Sequence, residues 1–178
     1  MKILVTGSAG FIGSAVSKFL LDRGNEVIGI DNHNNYYDVS LKEARLGLIK
    51  NYSNYLHIRM DISNSDEISL LFEKHEPKKV INLAAQAGVR HSIEKPMDYV
   101  KSNLLGFANI LEGCRKCEVE HLVYASSSSV YGANTTVPFS LKHNVDHPLN
   151  LYGATKKANG LMAHSYSCIY GLKSTGVR

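Results

Sequence analysis

The chain has 178 residues, 44% of them hydrophobic and 20% charged, which is enough to bury a core and is the balance of a single water-soluble domain. A net charge of +4, with 20 basic side chains scattered among 16 acids and no basic run, argues against nucleic acid as a partner. No apolar stretch approaches the roughly 20 residues that span a bilayer, and KILV at the start is too short for a signal-peptide core, so a cytoplasmic protein without a membrane partner is expected.

In chain order, apolar runs rich in β-branched residues alternate with helical periodicity. KILVTG (2–7) reads as a strand; Phe11, Ile12, Ala15, Val16, Phe19 and Leu20 then recur at helical spacing up to a stop at Gly24. EVIGID (26–31) is a second strand, followed by the polar loop NHNNYYD and a helix around 40–50, and YLHIRMD (55–61) is a third strand. Ser63 and Ser65 are candidate caps for a helix carrying Ile68, Leu71 and Phe72, which Pro77 ends. KKVINLAA (78–85) is a fourth strand, Val100, Asn103, Leu104, Phe107, Leu111 and Cys114 mark one long helix, and HLVYASS (121–127) is a fifth strand. After a loop with Pro138 and Pro148, a helix runs from about Leu151 to Tyr170, and STGVR begins a sixth strand.

Continuously apolar strands alternating with helices are the pattern of a doubly wound parallel sheet, an α/β fold of the Rossmann type. One domain over residues 1–178 is expected, and an end on a sixth strand reads as part of something longer. The three cysteines read as thiols. CRKC, Cys114 to Cys117, ends a helix with no second pair of ligands nearby, so Cys114 reads as core; HNVDH (143–147) also lacks further ligands, and no metal site is expected.

Gly7, Gly10 and Gly13 follow the first strand and open a helix. That spacing allows a tight turn at Gly7, an unobstructed backbone at Gly10 and close helix–strand packing at Gly13, with free N–H groups facing a pyrophosphate. Asp31 ends the second strand at about the 20-residue spacing where an acid accepts from the adenosine ribose hydroxyls and repels a 2′-phosphate. No Arg follows closely, so the expected cofactor is NAD rather than NADP. Asp61, ending the third strand, is placed either to meet the adenine amino group or to serve as an ordinary turn acid.

YGATK sets Tyr152 and Lys156 one helical turn apart, on one face. A phenol, with a pKa of about 10, is a poor base at neutral pH; a nearby ammonium and a positive nicotinamide both favour phenolate, which makes Tyr152 a usable general base. ASSSSVYG, at the carboxyl end of the fifth strand where open α/β sheets place their ligands, offers Ser126 to Ser129 as hydroxyl donors or as a flexible polar turn.

Together, TGSAGFIG, Asp31, NLAAQ, the serine run before VYG and YGATK resemble the extended short-chain dehydrogenase/reductase family. More narrowly, DNHNNYYDVSLKEARL, AAQAGVRHSIEKP and NVDHPLNLYGATKKAN resemble the UDP-glucuronate 4-epimerases of the nucleotide-sugar epimerase group. The resemblance implies NAD-dependent inversion at C4 of a UDP-hexuronate through a 4-keto sugar. Tyr152 would take the proton of the 4-hydroxyl, Lys156 would assist it, and Ser127 would hydrogen-bond O4 with Ser128 as helper. It also implies that Leu83, Ala84, Ala85, Gln86 and Asn103 line the cofactor, that Arg90 lies near the pyrophosphate, and that Phe11, Ile12, Asn32, Ile62 and Ala125 complete the cleft beside Tyr152 and Lys156.

Two features depart from the pattern. Gly160 falls in the middle of the catalytic helix, where related sequences carry a larger residue, and the C-terminal substrate domain of the relatives is not part of this sequence. The chain by itself is therefore expected to lack useful epimerase activity, while its parent is expected to be a homodimer. A 4,6-dehydratase is disfavoured because that branch carries an acidic pair in the serine stretch, and SSSSVYG has none. Another nucleotide-sugar 4-epimerase, acting on UDP-glucose or an N-acetyl sugar, and a non-catalytic NAD-binding module are the alternatives.

Overall fold

A computed structural model describes residues 1–178 as one six-stranded parallel sheet in the order β3-β2-β1-β4-β5-β6. The strands are β1 (Lys2–Thr6), β2 (Glu26–Asp31), β3 (Tyr55–Arg59), β4 (Lys79–Asn82), β5 (His121–Ala125) and β6 (Ser174–Val177). Helices α1 (Phe11–Asp22), α2 (Val39–Gly47) and α3 (Ser65–His75) connect the first four strands. Between β4 and β5 run α4 (Val89–Glu94), α5 (Pro96–Tyr99), a π-helical turn (Val100–Leu105) and α6 (Gly106–Lys116); α7 (Leu151–Tyr170) precedes β6.

The sheet is buried on both faces, which is why its central strands are apolar throughout. Ile3, Val5 and Val27 point to one side and pack with Leu21 of α1 and Leu46 of α2. Leu4, Ile28, Val80 and Leu122 point to the other and pack with Ile68 and Phe72 of α3 and with Phe107, Ile110 and Leu111 of α6. Cys114 belongs to this second core, where burial pushes its thiol far up, as suits an inert packing residue.

Two expectations about elements need correction. The cap of α3 is Asn64, whose Oδ1 accepts from the Glu67 N–H at 3.3 Å, and neither flanking serine does so. Strand β4 ends at Asn82, because residues 83–86 leave the ladder to form a wall described below. The short helix α4 was not expected, and the long helix expected around 100–114 is present, running without a gap from Pro96 to Lys116 with the π turn inside it. At Gly160 a Cβ would meet only the Tyr124 hydroxyl, at an ordinary 3.8 Å, so the glycine costs helix propensity but relieves no clash.

Candidate active site

The strand order reverses at β1 and β4, and the crevice beyond their carboxyl ends is where such sheets take ligands. A groove of about 310 Å³ lies there. Its wall brings together Gly7, Gly10, Phe11, Ile12 and Gly13 of the first turn, Asp31 and Asn32 after β2, Asp61 and Ile62 after β3, Leu83 to Gln86 after β4, and Ala125 at the end of β5.

The turn is built from backbone. Gly7 is left-handed (φ +69), and a Cβ there would stand 2.9 Å from the Ala84 nitrogen; at Gly13 a Cβ would collide with the Gly7 carbonyl oxygen. Gly10 precedes α1 without a side-chain cap, so the first N–H groups of that helix are free to meet an anion, and the helix dipole favours one.

Asp31 is buried, and its Oδ1 accepts from the His33 N–H at 2.8 Å and from the Lys42 ammonium at 3.0 Å. Both contacts use one oxygen, which leaves Oδ2 for a ligand. Lys42 also donates to Asn34 Oδ1 at 3.1 Å and lines the groove. No Arg follows Asp31 closely in the sequence, but α2 supplies a lysine, and a single lysine in LKEAR carries no periodic signal of burial. Asp61 acts as a turn acid, accepting from the Ser63 N–H at 2.9 Å, and it also faces the groove. Although burial opposes its charge, hydrogen bonds from the Ser63 N–H, the Ser63 hydroxyl and Asn32 hold its carboxyl below the usual range.

The wall after β4 is fastened from two sides. Thr6 Oγ1 accepts from the N–H groups of Leu83 and Ala84 at 3.1 and 3.0 Å. Asn103, in the π turn, accepts from the Gln86 N–H at 2.8 Å and donates to the Gln86 carbonyl and to Thr155 Oγ1, each at 3.0 Å. Its own carbonyl accepts from Asn159 Nδ2 at 2.6 Å. Tyr99, fully buried, donates to the carbonyls of Ala87 and Gly88. Asn103 therefore stands behind the groove rather than in its wall, and acts through Gln86. Arg90 is exposed on α4 and is not among the residues of the wall. Tyr99, Thr155 and Asn159 are additions, since each looks like ordinary helix filling until the folded partners are in place.

On α7 the Asn150 side chain caps the helix by accepting from the Gly153 N–H at 2.8 Å. Tyr152 meets Tyr99 edge to face, with ring centres 6.1 Å apart. The Lys156 ammonium is buried and donates to the Ala125 carbonyl at 2.9 Å; burial lowers it to about 8, which leaves it charged at neutral pH. Ser127 Oγ accepts from the Ser129 N–H at 3.1 Å, which frees its own hydrogen to donate outward, and Ser128 is exposed. Ser127, Tyr152 and Lys156 thus adjoin the groove at the end of β5, outside the wall itself. On the other side of Lys156 a second cavity, about 280 Å³, is lined by Ser126, Lys157 and Arg178 among others. No helix is long and apolar enough to cross a membrane.

A glycine turn, an acid on the second strand and a Tyr–Lys pair beside the fifth strand define an α/β protein of the extended short-chain dehydrogenase/reductase kind. The family model described as GDP-mannose 4,6 dehydratase matches residues 4–178, and the chain belongs to that family. It is 56% identical over 178 residues to Protein CapI of Staphylococcus aureus, covering 100% of this chain and 53% of that protein. It is 50% identical over 178 residues to UDP-glucuronate 4-epimerase 3 of Arabidopsis thaliana, covering 99% and 41%. Among solved structures, the UDP-glucuronic acid 4-epimerase of Bacillus cereus in complex with UDP-glucuronic acid and NAD superposes with a TM-score of 0.92 at 33% identity, covering 100% of this chain and 56% of that one. The chain spans about half the length of the relatives it matches.

Proposed function

We propose that residues 1–178 form the NAD-binding and catalytic portion of a UDP-sugar 4-epimerase acting on UDP-glucuronate. The observation that carries this reading is the convergence, around one groove, of a glycine cradle that any Cβ would fill, a buried acid with a free oxygen, and the Tyr152–Lys156 helix. The likeness to named UDP-glucuronate 4-epimerases supports the substrate. The serine run without an acid speaks against dehydration, although the family takes its name from a dehydratase.

The residues fit a dinucleotide. The first turn of α1 and the glycines would hold its pyrophosphate, Asp31 with Lys42 its adenosine ribose, and residues 83–86 its middle. The chemistry NAD supplies when bound is reversible hydride removal at C4 of the sugar. Tyr152 takes the 4-hydroxyl proton and later returns it, Lys156 stabilises the phenolate by its charge, and Ser127 donates to O4. Asp31 would face the extra phosphate of NADP, and Lys42 offsets that repulsion only in part because its charge is already engaged. Calorimetry on the 178-residue chain should therefore show NAD bound roughly tenfold or more tightly than NADP. Equal or tighter NADP binding would remove Asp31 as the discriminating group.

The reaction itself is tested with a protein extended to the length of the relatives, incubated with UDP-glucuronate and NAD and followed by chromatography. UDP-galacturonate is the expected product, and no conversion overturns the reading. Conversion of UDP-glucose alone would move the substrate and keep the reaction. The 178-residue chain is expected to convert little, because remote binding energy on the UDP portion places C4 within about 3 to 3.5 Å of the nicotinamide.

A further inference from the structure

Next to Asp31, outside the groove wall, lies a polar chain that the mechanism does not use. His33 is buried in left-handed backbone (φ 52), and its N–H is one of the two donors to Asp31 Oδ1. Its Nε2 lies 3.0 Å from Nε2 of His57 on β3, with the rings edge to face. Across the same ring, His33 Nδ1 lies 2.9 Å from Glu43 Oε1 of α2, close but without straight hydrogen-bond geometry. His57 Nδ1 faces Tyr55 Oη at 3.4 Å and Ser8 Oγ at 3.5 Å, and Ser8 is fully buried inside the glycine turn. The chain thus touches each element that builds the adenosine end of the groove: the turn, the loop after β2, β3 and α2.

Two ring nitrogens 3.0 Å apart share one proton, one ring donating and the other accepting. Glu43 favours a proton on His33 Nδ1, which leaves His33 Nε2 bare. His57 then donates from Nε2 and accepts at Nδ1 from Tyr55 or Ser8. That order satisfies the chain with both rings neutral. A further proton must go either to His33 Nε2, where two N–H groups would oppose each other, or to His57 Nδ1, where the Tyr55 and Ser8 hydroxyls would have to turn from donor to acceptor. Both destinations put an added charge into a buried chain whose nearest acid, Asp31, is already held by Lys42. Burial first, then the neighbouring His33, hold the His57 imidazolium below the ordinary histidine range, against the pull of Asp31, Glu43 and the Gly29 backbone.

We propose that His33 and His57 are positioning residues for the adenosine site, holding Asp31 and the glycine turn in place while they share a single proton, so that dinucleotide affinity falls on acidification. This rests on the reading that the groove takes NAD. Bound dinucleotide covers the wall beside the pair and excludes water, which disfavours the extra charge, so that binding and protonation oppose each other. The same linkage acts on folding. With the His57 titration lowered, its contribution to stability is present above about pH 6.5 and is lost as pH falls through the lowered titration.

The test is NAD affinity of the 178-residue chain by calorimetry at pH 8 and pH 5.5, with His33→Asn and His57→Phe alongside; asparagine tolerates left-handed backbone. The wild type should weaken by a few-fold on acidification to pH 5.5, at most about fivefold for one unit of further pKa depression, since the full factor of ten is reached only below both titrations. Both variants should bind more weakly than wild type at pH 8 and show a flat profile. Variants that weaken binding but keep the full pH dependence would show a merely structural role and overturn the proposal. Imidazole nitrogen NMR without NAD judges the pair separately: coupled resonances, with His57 titrating below the ordinary range, are expected, and two independent ordinary titrations refute the shared proton. Wild type that fails to bind NAD at pH 8 overturns the cleft reading and the affinity claim together, while the spectra still decide the pair.

Discussion

Asn103→Ala should destabilise the domain by roughly 2–4 kcal/mol, measured by urea unfolding, and weaken NAD binding in the folded fraction. The side chain is buried and makes three hydrogen bonds, two to the Gln86 backbone and one to Thr155. Alanine removes all three while leaving the Gln86 N–H, the Gln86 carbonyl and the Thr155 hydroxyl in place, and an unpaired buried group costs about 1–3 kcal/mol. Thr155 retains the Tyr152 carbonyl as acceptor, and water can enter toward Gln86, which keeps the total below the sum. The loss should reach the cleft because Gln86 ends the wall that Thr6 begins. A cost under about 1 kcal/mol would mean that Thr6 and Tyr99 hold the wall without Asn103.

The same residue shows where reading the sequence stopped short. Its place on a helix near the strand ends was legible from the apolar spacing of Val100, Phe107 and Leu111. That pattern passes smoothly through residues 100–105, so the π turn left no trace in it, yet the turn shifts the face on which Asn103 lies and sets it behind the groove. The glycine turn, Asp31 and the Tyr152–Lys156 pair were legible because each depends on local backbone or on spacing within one element. Lys42, Tyr99, Thr155 and Asn159 depend on partners brought from other elements, and a lysine or tyrosine on a helix announces no partner. Arg90 was located by a likeness alone, and it stands exposed on α4 rather than among the wall residues. The cap of α3 was misplaced by one residue because serine and asparagine serve equally well there, and only the observed bond to Glu67 chooses between them.

Tyr152→Phe, in a protein extended to the length of the relatives, should lower turnover of UDP-glucuronate by about 10²–10⁴-fold, with a much smaller change in NAD affinity. The substitution removes one oxygen and keeps the ring, so the edge-to-face contact with Tyr99 and the capped start of α7 survive. What goes is the group that exchanges the proton of the 4-hydroxyl. Nothing else in place can substitute for it. Ser127 has a hydrogen to donate but no basic partner, and Lys156, lowered to about 8, is mainly charged at neutral pH and donates to the Ala125 carbonyl, which makes it a poor base there. Measured at pH 7, a loss confined to turnover therefore identifies the phenol as the base, whereas a matching loss of NAD affinity would make Tyr152 chiefly a cofactor ligand. Turnover at the wild-type rate would remove the proton transfer from Tyr152 and leave the cleft of Gly7, Asp31 and Gln86 as a dinucleotide site without the chemistry assigned to it.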